Sequence, residues 1–165
     1  GINKGISAQI EKFKGSETQL IWQTGKFYYD EAIKEVKENQ LEENVKPMVF
    51  IERMDYAYSV ADVVISRAGA ISISELALVQ KPVIFVPLPT AAEDHQTKNA
   101  QQLVDAGAAL MVKNEETELV LIPKLQELLR DKAKQEEMRK NIATFAKPNA
   151  ADDIVDIILN VTNKA

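Results

Sequence analysis

Val63-Val64-Ile65-Ser66-Arg67-Ala68-Gly69-Ala70-Ile71-Ser72-Ile73-Ser74-Glu75-Leu76-Ala77-Leu78-Val79 runs from a short β-branched segment, through a turn of small residues, into a segment at helical spacing. The reading is a buried strand over Val63 to Ser66, a strand-to-helix turn, and a helix over Ala70 to Val79. One such unit is common. Its repetition along the chain decides the fold class.

Outward from this unit the same alternation recurs. Strands are predicted at Gln19 to Gln23, Met48 to Ile51, Val83 to Val86 and Ala109 to Val112. Helices are predicted near Phe27 to Asn39, Tyr56 to Ala61 and His95 to Asp105, with Gly107 as the C-cap of the last. Five short apolar strands separated by helices predict an α/β fold with a mainly parallel sheet. After Val112 the pattern is helical throughout. Pro123 suits a first-turn position, Leu125, Leu128 and Leu129 form an apolar stripe, and a final helix starts near Ala150. At the other end Ile2, Ile6, Ile10 and Phe13 share one helical face with no preceding strand to supply the sheet it would rest on.

Composition narrows the function. The 165 residues, 45% hydrophobic and 27% charged, suffice for one core, and no linker or repeat divides them. A net charge of -5 argues against nucleic acid as a partner. The absence of cysteine and the single histidine, His95, exclude disulfides, thiolate metal sites and multi-histidine clusters. No apolar run approaches the ~18 residues that would span a bilayer, and the first residues lack a signal-peptide pattern, so a cytoplasmic location is expected.

In an open parallel sheet, ligands bind beyond the carboxyl ends of the strands, where helix N-termini offer unpaired N–H groups and a positive dipole end. The turn Ser66 to Ala70 would admit a phosphate, although most α/β proteins contain a comparable structural turn. Glu75 has two readings of equal weight. It could accept hydrogen bonds from vicinal ribose hydroxyls, or Ser72 to Glu75 could form a capping box at a helix start. The polar segment Pro87 to Asn99 offers His95, Gln96 and Asn99 to sugar hydroxyls; alternatively Asp94 is an N-cap and the others are solvated. Trp22 and Phe50, each in an apolar strand, are expected in the core, leaving nearby backbone groups as ligand candidates.

Taken in order, Trp22-Gln23-Thr24-Gly25, Phe50-Ile51-Glu52-Arg53-Met54, Ala61 to Ala70, Ser74-Glu75, Pro82 to Pro87 and Asp94 to Ala100 resemble the C-terminal domain of MurG-type glycosyltransferases. The resemblance continues through Ala106-Gly107-Ala108-Ala109 and Asn149-Ala150-Ala151, covering essentially the whole chain. It implies one Rossmann-like half of a GT-B enzyme, with helices on both sheet faces. That family transfers N-acetylglucosamine from its UDP donor to lipid I, with inversion, at the cytoplasmic membrane face; its C-terminal domain binds the donor.

Carried onto matching positions, the resemblance implies uracil near the backbone of Ile51, diphosphate near Ser66, Arg67 and Gly69, and ribose hydroxyls on Glu75. It implies N-acetylglucosamine near His95, Gln96 and Asn99. Residues 1–165 would form a single UDP-sugar donor-binding domain without cofactor or metal. The family's acceptor domain, and its first strand with the Gly-Gly-Ser-x-Gly-Ala loop, would lie outside these residues, leaving another segment or a second copy to fill that strand's place. No residue is therefore assigned as the catalytic base, and binding without transfer is expected of the fragment alone. The lipid-linked acceptor would be met through the absent domain, with the intact protein peripheral on the inner membrane. Two competing readings are the donor half of a UDP-sugar epimerase and a non-catalytic Rossmann-like binding module.

Overall fold

The computed structural model describes residues 1–89 and 94–162. In chain order these are α1 (Ile2–Ser7), a 3-10 turn (Ile10–Phe13), β1 (Leu20–Gln23), α2 (Tyr29–Glu38), β2 (Val45–Met48), α3 (Met54–Val60), β3 (Val64–Ser66), α4 (Ala70–Val79), β4 (Val83–Phe85), α5 (His95–Asp105) and β5 (Leu110–Met111). A 3-10 turn (Asn114–Glu116), α6 (Thr117–Arg130), α7 (Lys132–Ala143) and α8 (Ala150–Thr162) follow.

All strand pairings are parallel, but the strands form two sheets, β1-β2 and β3-β4-β5. Between β1 and β3 runs a slot of about 710 Å³, lined by Leu20 to Gln23 on one wall and Val63 to Ile65 on the other.

Strand β4 shows why helices cover both faces. Val83, Ile84, Phe85 and Val86 are all fully buried. Ile84 and Val86 join the cluster containing Ile6, Phe13, Leu121 and Leu125. Val83 and Phe85 join the opposite cluster with Leu76, Leu103 and Ile142. Alternate side chains leave a strand on opposite faces, so a strand apolar at every position needs cover on both.

Several expectations require correction. The second strand lies at Val45–Met48, not Met48 to Ile51. Leu20 N donates to Asn44 O and Thr24 N to Met48 O, which places Val45 in the core and leaves Phe50 beyond the strand, 65% exposed. Phe50 is thus not a core residue, whereas Trp22 is, at 2% exposure. Pro47 would argue against a central strand, yet it is tolerated on the edge strand β2.

Pro123 is not at a helix start but in the interior of α6. Lacking an N–H, it cannot bond the carbonyl four residues back, Leu119 O. The Gln9 side-chain amide donates to that oxygen at 3.0 Å and to Glu118 O at 2.6 Å, so the segment between α1 and β1 satisfies the interrupted ladder.

The apolar face at the start of the chain packs on α6 and shares one core cluster with the β4 side chains Ile84 and Val86. Ile6, Ile10 and Phe13 are buried, and Gly5 meets α6. A Cβ on Gly5 would lie 2.7 Å from Thr117 Cβ and 2.9 Å from Thr117 O. Gly5→Ala is expected to lower unfolding stability by about 1–2 kcal/mol, overpacking outweighing the gain in helix propensity. An unchanged urea midpoint would show that α1 and α6 separate easily.

Candidate functional site

Parallel strands bring their following loops to the sheet's carboxyl edge, and side chains join those loops. Gln23 at the end of β1 accepts from the Ile51 N–H at 2.9 Å, linking the loops after β1 and β2. The Tyr58 phenol on α3 donates to Glu75 Oε2 on α4 at 3.2 Å. Asn99 on α5 donates to Ala68 O at 3.3 Å, and Leu88 N donates to Gln96 Oε1 at 3.0 Å. The turns after β3 and β4 are thereby tied to the start of α5.

The turn after β3 ends in Gly69, the N-cap of α4, which has no side-chain cap. Gly69 has φ -69° and ψ 149°, a conformation open to any residue. A Cβ there would meet only Ser72 Oγ, at 3.9 Å. Neither backbone conformation nor internal packing therefore requires glycine here. The missing side chain leaves open space before the N-terminus of a ten-residue helix, the geometry an anion approaches. Ser66 Oγ lies beside this turn, donating to Arg67 O at 3.0 Å.

Arg67, in the same turn, is engaged by oxygens of neighbouring segments. Its Nη1 donates to Val86 O at 3.0 Å, Pro87 O at 3.1 Å and Asn114 Oδ1 at 2.9 Å. Burial lowers its pKa, but a guanidinium remains charged. The described contacts make it an anchor joining the ends of β3, β4 and β5, with its positive charge beside the turn.

The capping-box reading of Ser72 to Glu75 fails on helix position. Helix α4 begins at Ala70, so Ser72 is already inside it, and Glu75 meets Tyr58 rather than a backbone donor. Glu75 is exposed. The half-buried Tyr58 phenol is pushed up to about 12, first by burial and then by the Glu75 charge, so it stays protonated as a donor.

Of the α5 candidates, His95 is exposed, while Gln96 and Asn99 are half-buried and engaged with the two turns. Asp94 occupies the N-cap position without a side-chain bond to the helix backbone; its carboxylate accepts from Thr97 Oγ1 at 2.6 Å. Thr90, Ala91, Ala92 and Glu93 of the same polar segment lie outside the described residues. Sequence reasoning missed Tyr58, which lies 17 positions before Glu75 with no local pattern joining them, and Asn114, 47 positions after Arg67. No group of three or more metal-binding side chains occurs among the described residues.

Residues 2–154 match the glycosyltransferase family 28 C-terminal domain. A Flavobacterium psychrophilum protein named UDP-N-acetylglucosamine--N-acetylmuramyl-(pentapeptide) pyrophosphoryl-undecaprenol N-acetylglucosamine transferase is 47% identical over 160 residues, 97% of this chain and 42% of that relative. The chain therefore spans less than half the length of the curated relative it matches. The crystal structure of Acinetobacter baumannii MurG superposes with a TM-score of 0.80 at 30% identity, covering 97% of this chain and 49% of that one. A UDP-N-acetylglucosamine 2-epimerase shares the fold, with a TM-score of 0.67 at 15% identity over 99% of this chain and 42% of its own, a likeness that bears on architecture alone.

Proposed function

This chain belongs to the glycosyltransferase family 28 C-terminal domain family, and from that premise we propose that residues 1–165 form the donor-binding unit of an inverting glycosyltransferase. The donor is UDP-N-acetylglucosamine and the acceptor is lipid I, the lipid-linked precursor of peptidoglycan. The carrying observation is the opening before α4, where Gly69 lacks a side chain that neither conformation nor packing forbids.

In this reading the diphosphate sits against the uncapped α4 N-terminus beside Ser66 and Gly69. The α4 N–H groups and the nearby Arg67 charge offset the negative charge that grows on departing UDP. Glu75 accepts from the ribose hydroxyls. Uracil pairs with the backbone at Ile51, displacing the Gln23 carboxamide that now holds this N–H. His95, Gln96 and Asn99 orient the sugar from α5. No side chain here is assigned as the base that deprotonates the acceptor. The slot between β1 and β3 supports a further parallel strand there, from another segment or a second copy, restoring backbone hydrogen bonds on both sides. No described helix is long and apolar enough to cross a membrane. We assign the intact enzyme to the cytoplasmic membrane face as a peripheral protein that reaches the lipid-linked acceptor through its other domain.

The test is ligand discrimination by calorimetry or chemical-shift mapping. UDP-N-acetylglucosamine and UDP are expected to bind at least ~10-fold more tightly than ATP or NAD, a difference of about 1.4 kcal/mol. Equal binding of all four would overturn the proposal.

A further inference from the structure

An exposed glutamate on a helix ordinarily samples many rotamers, and ordering it on binding opposes recognition. Glu75 is not left to do so: the Tyr58 phenol reaches it from α3 and donates to Oε2 at 3.2 Å. Tyr58 is itself held, half-buried against the core cluster containing Leu76 and Ala77, the residues after Glu75 on α4. A packed aromatic ring thus presents one donor to one carboxylate oxygen. A carboxylate has about four lone-pair sites, so a single phenolic donor leaves capacity for two vicinal hydroxyls.

We propose that Tyr58 is a positioning residue for the donor's ribose, holding the Glu75 carboxylate in the orientation that receives two vicinal hydroxyls. The inference rests on the ribose reading of Glu75. It adds a residue on a different helix, and it makes recognition depend on how α3 and α4 pack. With its pKa pushed up to about 12 by burial and the Glu75 charge, the phenol stays a donor throughout the neutral range.

The experiment measures binding of UDP and of 2′,3′-dideoxy-UDP to the wild-type protein, Tyr58→Phe, Glu75→Ala and the double variant. Tyr58→Phe keeps the packed ring and removes only the donor. It is expected to weaken UDP about 5-fold, the scale of one hydrogen bond, while leaving the dideoxy ligand unchanged. In the Glu75→Ala background the same change should have no effect on either ligand. A merely structural role for Tyr58 would weaken both ligands alike, and that result overturns the inference. So does full retention of hydroxyl discrimination by Tyr58→Phe when Glu75→Ala has lost it. If Glu75→Ala itself still distinguishes the two ligands, the ribose reading fails and the inference falls with it.

Discussion

Glu75→Ala is expected to weaken UDP binding about 30-fold, roughly 2 kcal/mol, by removing a charged acceptor for ribose hydroxyls. Its stability should change by no more than about 0.5 kcal/mol, because Glu75 is an exposed helical residue whose described partner is a single phenol. Alanine also suits a helix interior. Calorimetric titration with UDP and a urea melt of the same sample separate the two effects. Unchanged affinity would remove Glu75 from the site. Lost affinity with a large loss of stability would make its role structural.

Arg67→Ala is expected to show the converse pattern, losing about 3 kcal/mol of unfolding stability. Three oxygens, on Val86, Pro87 and Asn114, would lose a charged donor in a partly buried setting. Arg67→Lys should restore little, since an ammonium on a shorter reach cannot reproduce the planar guanidinium geometry. The measurement is a denaturant midpoint for the three proteins without ligand. An unaffected midpoint combined with weaker UDP binding would identify Arg67 as a direct phosphate ligand instead. The two substitutions together test whether the β3–α4 unit divides its labour between a structural anchor, Arg67, and a ligand-binding carboxylate, Glu75.

The helices α4, α5 and α8 begin where their sequence signals place them, at Ala70, His95 and Ala150. Their starts are marked locally by small or polar residues before apolar periodicity. Strand β2 lies earlier than its apolar signal because Met48 to Phe50 is apolar without being buried, and periodicity alone cannot distinguish an exposed apolar loop from a strand. Pro123, inside α6 rather than at its start, is a related case. Its tolerance inside α6 depends on Gln9, more than 100 residues away in sequence.

The candidate site divides in the same way. Gly69, Ser66, Glu75 and the polar stretch opening α5 could be singled out from residue type and from the family's ordered motifs. Their partners could not. Whether Glu75 caps its own helix or meets Tyr58, and whether Arg67 faces the turn's opening or the carbonyls of Val86 and Pro87, depends on contacts between distant elements.

By itself the sequence determined the alternation of strands and helices, and hence the parallel α/β class, most plainly at β4, where burial on both faces demands an uninterrupted apolar run. Only the tertiary structure decided that these strands form two sheets flanking a slot, and which way each polar side chain turns. Backbone pairing and hydrogen bonding are satisfied between chain segments, and a side chain's partner is whichever donor or acceptor the packing brings within about 3 Å.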